Sequence, residues 1–271
     1  MRRLALALAF GLPAFAFAAG PTYTVIDLGT APGLEWAPVQ PLVENSANSF
    51  YGSLGGGITY IYRKTSNAAV GTSAIAPPSC PGDVTWHAFL FLQTSVAGGT
   101  MQDLGTLGGC ASAGLSFNAS HVVVGWSDMN IGVSDVDAFG GLQTAFVWQN
   151  GTMRELPSLL QAIYTEEEAR SNTSSANGID NAGEIVGETT QRLNTGQLAH
   201  RAVMWPNGAA AKPLELQFQL GNASGTLIFT NAFAINCQGN IAVTGYPLNH
   251  SPSDVHTYLL VRQGAQRSCP E

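Results

Sequence analysis

A short apolar word recurs along the chain: Ala88-Phe89-Leu90-Phe91, Ala145-Phe146-Val147-Trp148, Ala202-Val203-Met204-Trp205 and, more loosely, Thr257-Tyr258-Leu259-Leu260. The residues just before these words are His87, Thr144, Arg201 and His256, at steps of 57, 57 and 55 residues. Apolar runs this short, bounded by polar and glycine-rich segments, read as β-strands. So steady a step means one supersecondary unit repeated, none of which can bury its own apolar faces alone.

Other words keep the same frame. After the first three aromatic words come Thr100-Met101-Gln102-Asp103-Leu104, Thr152-Met153-Arg154-Glu155-Leu156 and Lys212-Pro213-Leu214-Glu215-Leu216, and a lone copy, Thr24-Val25-Ile26-Asp27-Leu28, stands near the N-terminus. Asn150-Gly151 between two apolar runs predicts a type I′ hairpin, which sets Gln149 opposite Thr152, Phe146 opposite Glu155 and Ala145 opposite Leu156. A third word ends in glycine: Ala68-Ala69-Val70-Gly71, Val122-Val123-Val124-Gly125, Glu184-Ile185-Val186-Gly187 and, loosely, Ile241 to Gly245. Before it stands a turn residue able to take positive φ, namely Asn67, His121, Gly183 or Gly239, and upstream a short strand ends near Asn118, Asp180 or Asn236.

Each unit therefore supplies four short strands joined as a meander. The expected fold is all-β, a β-propeller of four blades with four antiparallel strands each. The chain begins with a fourth-type strand, Tyr23 to Gly29, and ends with an aromatic one, His256 to Arg262, so the N-terminal strand is expected to close the last blade. An open solenoid would leave a bare edge. The alternative is a fifth blade within residues 30 to 57, which hold Phe50, Tyr51 and the glycines 55 to 57.

These words resemble the extracellular HAF-repeat family, whose units carry a His-Ala-Phe-Leu-Trp strand, an Asp-Leu-Gly-Thr-Leu-Gly-Gly segment and an Asn-x-x-Gly-x-Val-Val-Gly turn and strand. His87 to Phe91, Asp103 to Gly109 and Asp180 to Gly187 match them, with Phe91 for Trp, Asp180 for Asn and Ile185 for Val. The resemblance spans nearly the whole chain after its leader and implies a secreted bacterial repeat protein. It implies no activity.

Composition adds a compartment. Arg2 and Arg3, an apolar run from Leu4 to Phe17 and Ala16-Phe17-Ala18 read as a secretory signal peptide, residues 1–18, ahead of a single propeller domain, 19–271. The run is about 14 residues and broken by Gly11 and Pro13, short of the roughly 20 that a membrane span needs. Without Arg2 and Arg3, nine of the 11 Lys and Arg face 18 Asp and Glu, a net charge of −9. With no Lys/Arg cluster, that balance argues against a nucleic-acid partner. Cys80, Cys110, Cys237 and Cys269 are an even set in an exported chain, and Cys80–Cys110 with Cys237–Cys269 is the preferred of three pairings.

Catalytic signatures are missing: there is no G-x-S-x-G, HExxH, P-loop or dinucleotide fingerprint. His87 and His256 share a repeat position, which Thr144 and Arg201 fill elsewhere, so they read as strand-end hydrogen bonders. Asp27, Asp103, Glu155 and Glu215 read as edge charges, one per unit. Residues Ser127 to Gly141 carry Asp128, Asp135 and Asp137, an oxygen-rich loop and the one candidate calcium site; no other cofactor is expected. A short surface helix is expected within Leu156 to Arg170.

In a propeller the longer connections here gather at one end, where binding usually resides. Trp36, Phe50, Tyr51, Trp86 and Phe139 lie on them and are the candidate binding residues. The chain is expected to be a monomeric, non-enzymatic scaffold for an extracellular glycan or protein. A hydrolase or lyase acting on an extracellular polymer, and a structural envelope protein, are the alternatives.

Overall fold

A computed structural model describes residues 20–28, 55–75, 85–95, 98–129, 142–160, 171–206, 212–221, 225–264, 267 and 269. Strand β1 (Tyr23–Asp27) comes first. A meander of β2 (Gly55–Lys64), β3 (Ala68–Ile75), β4 (Thr85–Ser95) and β5 (Gly98–Gly105) follows. The second is β6 (Gly108–Phe117), β7 (Val123–Met129), β8 (Leu142–Gln149) and β9 (Thr152–Glu155), and the third is β10 (Ser174–Ile179), β11 (Ile185–Arg192), β12 (Leu198–Trp205) and β13 (Leu214–Glu215). The last consists of β14 (Leu227–Ile235), β15 (Ile241–Pro247) and β16 (His256–Arg262).

Within every meander, neighbours in sequence pair antiparallel, and β1 supplies the fourth strand of the last one beside β16. The register runs from Tyr23 opposite Arg262 to Asp27 opposite Tyr258. The aromatic words thus form third strands and the glycine words second strands. Asn150 and Gly151 take left-handed backbone, at φ 52 and 82, with Gln149 opposite Thr152 and Phe146 opposite Glu155, the register read from the sequence.

The glycine of the second strand has a steric cause. Gly71, Gly125, Gly187 and Gly245 lie opposite Ile61, Gly114, Ala176 and Phe229, each immediately before a bulge in the first strand. The bulge bends that strand toward its partner. A Cβ on Gly71, Gly125 or Gly187 would sit 1.8 to 1.9 Å from the carbonyl oxygen of Tyr60, Ala113 or Ser175, and one on Gly245 would sit 2.3 Å from that of Ile228.

Strand alternation sends neighbouring residues to opposite faces, and both faces are covered. Val123 packs with Val70, Leu90 and Trp148 between the first two meanders, while Val124 packs with Ile185, Val203 and Trp205 between the second and third. Val186, Met204 and Leu216 meet Phe229, Ile241, Leu260 and Tyr23 in the next layer. Buried hydroxyls stitch the layers. Ser112 Oγ accepts the Ala88 N–H at 2.8 Å and donates to the Gly105 carbonyl at 2.6 Å, and Ser174 Oγ accepts the Ala145 N–H at 2.9 Å. A single parallel bridge, Trp86 to Ala111, joins the first two meanders into one sheet.

One turn departs from expectation. Asn67 is not left-handed, because its turn closes one residue sooner: Thr65 N–H donates to the Ala68 carbonyl, whereas Asn118 N–H donates to that of Val122. The alternative, a fifth blade within residues 30 to 57, falls mostly on residues 30–54, outside the described residues, while Gly55 to Gly57 open β2. Residues 161–170 of the expected helix also lie outside them, and Leu156 and Leu160 at its start are buried. Cys237 is disulfide-bonded to Cys269, with Cα atoms 5.3 Å apart, and Cys110 is also disulfide-bonded; Cys80 is outside the described residues.

Candidate functional site

The turns between first and second strands meet around one cavity of about 610 Å³. Each meander contributes: Thr65 and Asn67, Asn118 and His121, Asp180 and Asn181, Asn236 and Cys237. Three of the turns are built alike. Asn118 Oδ1 accepts the N–H groups of Ser120 and Val122, Asp180 Oδ1 those of Ala182 and Glu184, and Asn236 Oδ1 those of Gln238 and Asn240, all within 2.9 to 3.1 Å. A side-chain oxygen that mimics a backbone carbonyl is what favours Asn and Asp here. His121, Gly183 and Gly239 close the turns in left-handed backbone, at φ 56, 82 and 80.

Charges are paired unevenly around this cavity. Asp180, fully buried in its side chain, meets Arg267 at 2.6 Å, and Glu184 meets Arg262 at 2.5 Å and Arg267 at 2.8 Å. Burial pushes the Asp180 carboxyl upward, and the turn N–H groups and Arg267 work against that. The buried hydroxyl of Tyr23 lies beside this cluster without a hydrogen bond, and burial raises its pKa, assisted by the Glu184 charge. Arg63, which also lines the cavity, donates to Ser116 Oγ at 2.5 Å and lies over the Phe117 ring at 5.8 Å. It has no carboxylate partner among the described residues. Desolvation lowers its pKa, yet a guanidinium keeps its charge.

The long-connection end is described only in part. Trp36, Phe50, Tyr51, Phe139, Asp135 and Asp137 lie outside the described residues. Trp86 is half-buried with its ring 5.3 Å from that of Tyr60. Asp128 is only 4% exposed; burial pushes its carboxyl up, and the Ala111 N–H it accepts opposes this. Among the described residues no three His, Cys, Asp or Glu side chains are arranged to hold a metal.

The two histidines of the repeat position do bind the acids of the fourth strand. His87 Nδ1 lies 2.9 Å from Asp103, and His256 Nδ1 lies 2.9 Å from Asp27. Around His256 the pattern extends: Nε2 faces Asp254 at 3.4 Å, and Asp254 meets His250 Nδ1 at 2.6 Å. The i,i+4 spacing of His250 and Asp254 is the signal of this pair in the sequence. The His256 ring thus bridges Asp27 and Asp254, one nitrogen to each carboxylate.

The hydrogen bond to Asp27 raises the His256 pKa. Because the folded value lies above the unfolded one of about 6.5, the stability it adds is complete below that pH and is lost as pH rises through the folded value. A proton NMR titration should show His256 titrating above free histidine, and Asp27→Asn should bring it down; an unmoved midpoint in D27N would refute the pairing.

Compared with protein-family models, curated proteins and solved structures, the chain matches none of them.

Proposed function

We propose that the chain is an exported, non-enzymatic four-bladed β-propeller of the HAF-repeat kind, a monomeric scaffold whose long-connection end binds an extracellular glycan or protein. One observation carries this reading: the same turn from each of four meanders lines one cavity, with β1 completing the last meander. Such an arrangement suits blades around an axis and leaves the opposite ends of the strands to variable connections. The disulfides suit an oxidising compartment, and no helix among the described residues is long and apolar enough to cross a membrane.

Trp86 beside Tyr60 offers an aromatic surface at the long-connection end. A thermal-shift screen of the disulfide-bonded protein against neutral and acidic polysaccharides, with and without EDTA, tests the reading. A ligand that binds only the native state raises the midpoint, by about 2.7 kcal/mol of stability at a hundred times its dissociation constant. The expected result is a shift with at least one polysaccharide that is lost in Trp86→Ala. A shift unaffected by W86A, or product formation from the polymer, would overturn it.

A further inference from the structure

Around the cavity lined by the four turns, turn formation decides which polar atoms remain for a ligand. Asn236 spends Oδ1 on two backbone N–H groups, and Asn181 spends Oδ1 on the Ala119 N–H at 2.9 Å. Those bonds also fix the amide orientation, since an NH2 group cannot accept them. Both side chains are exposed to the cavity, and neither Nδ2 has a hydrogen-bond partner among the described residues. Asn67, whose Oδ1 accepts from Thr65 Oγ1 at 3.0 Å, adds a third such amide. The wall therefore presents NH2 donors from three meanders, the Oδ1 acceptors of these three amides being consumed internally.

The cavity's charges point the same way. Asp180 is neutralised by Arg267, which leaves the Arg63 guanidinium as the cation without a carboxylate on this wall, in a chain of net charge −7 overall. A guanidinium fork matches a carboxylate, while spread amide donors call for further acceptor oxygens several ångströms away. The Phe117 ring supplies an apolar face beside Arg63. The volume of about 610 Å³ falls in the range of small-molecule sites, about 300–1,000 Å³.

We infer that this cavity binds a hexuronate, its carboxylate on Arg63 and its ring hydroxyls on the Asn181 and Asn236 amides. It lies at the tight-turn end of the strands, away from the Trp86 surface, and stands or falls separately from glycan binding there. A free uronic acid and the terminal residue of an acidic oligosaccharide share this chemistry.

Isothermal titration with galacturonate, glucuronate, a galacturonate trimer, galactose and sodium sulfate tests the assignment. Arg63→Gln removes the fork. Asn236→Asp keeps the turn acceptor, as Asp180 does in its own turn, while replacing the donor with a negative charge. A uronate should bind wild type, and each variant should lose affinity about tenfold or more, the worth of one charge-assisted bond, with the free protein's melting midpoint unchanged. Preference for the trimer over the monomer would identify a chain end as the source, and the reverse a free acid. Galactose binding as tightly as uronate, sulfate displacing it at equal concentration, unchanged affinity in both variants, or no binding of any uronate would each overturn the inference. Loss of binding in W86A with R63Q unaffected would overturn it while leaving the other surface intact.

Discussion

Replacing Gly187 by alanine is expected to lower the thermal midpoint by about 6 to 12 °C, the equivalent of about 3 kcal/mol in a domain of this size. The new Cβ would meet the Ser175 carbonyl oxygen at 1.9 Å, and the obstacle is backbone, not a side chain that can turn away. To relieve it, β10 must lose its bulge, which would move Asn177 off its hydrogen bonds to Asn231 Oδ1 at 2.8 Å and to the Ala232 carbonyl at 3.1 Å. Damage at one glycine therefore reaches the contact between the third and fourth meanders. Gly98→Ala is the control, since a Cβ there meets nothing within 4 Å and its backbone is not left-handed. Thermal denaturation of both variants decides the matter. A G187A midpoint within about 2 °C of wild type would show that the bulge is dispensable.

Removing residues 20–28 is expected to be worse still. The truncation strips β16 of its ladder from Tyr23 to Asp27 and withdraws Tyr23, only 2% exposed, from the layer holding Phe229, Ile241 and Leu260. Deleting a buried aromatic side chain alone costs about 3–5 kcal/mol, against a total stability of about 5–15 kcal/mol. The bare edge of β16 would also invite pairing with a second chain. We expect the truncated protein to be unfolded or associated, with circular dichroism and sedimentation restored toward wild type by a synthetic peptide of residues 20–28 added in trans. A truncated chain that melts cooperatively at the wild-type midpoint would sink the role given to β1.

Periodicity made much of this legible. The aromatic words, the Asn150-Gly151 hairpin and the pairing of the first strand with the last follow from local chemistry repeated at a fixed step. The strand β2 was legible only by analogy with the other units, because Gly55 to Lys64 carry none of the words and the unit's first strand is its least patterned. The cavity lined by the four turns was missed for another reason. Asn118, Asp180 and Asn236 were legible as strand ends, but that their turns converge depends on how the meanders stack. Nothing local to Arg63 announces Asn236, and nothing near Arg267 announces Asp180. Burial was equally illegible at Asp128, whose Cβ and backbone pack against Gly109 and whose carboxylate accepts the Ala111 N–H.

The placement of β1 also sets an order of events. The first of these strands to be synthesised pairs with the last, so Tyr23 to Asp27 have no partner edge until His256 to Arg262 exist. Contacts of such long sequence separation form slowly and leave apolar surface open meanwhile. Ile26 and Leu28, still 46% and 59% exposed in the finished fold, belong to that waiting segment. The interval between the two ends of synthesis is therefore when this chain is most open to capture by a chaperone, or by the edge of another copy.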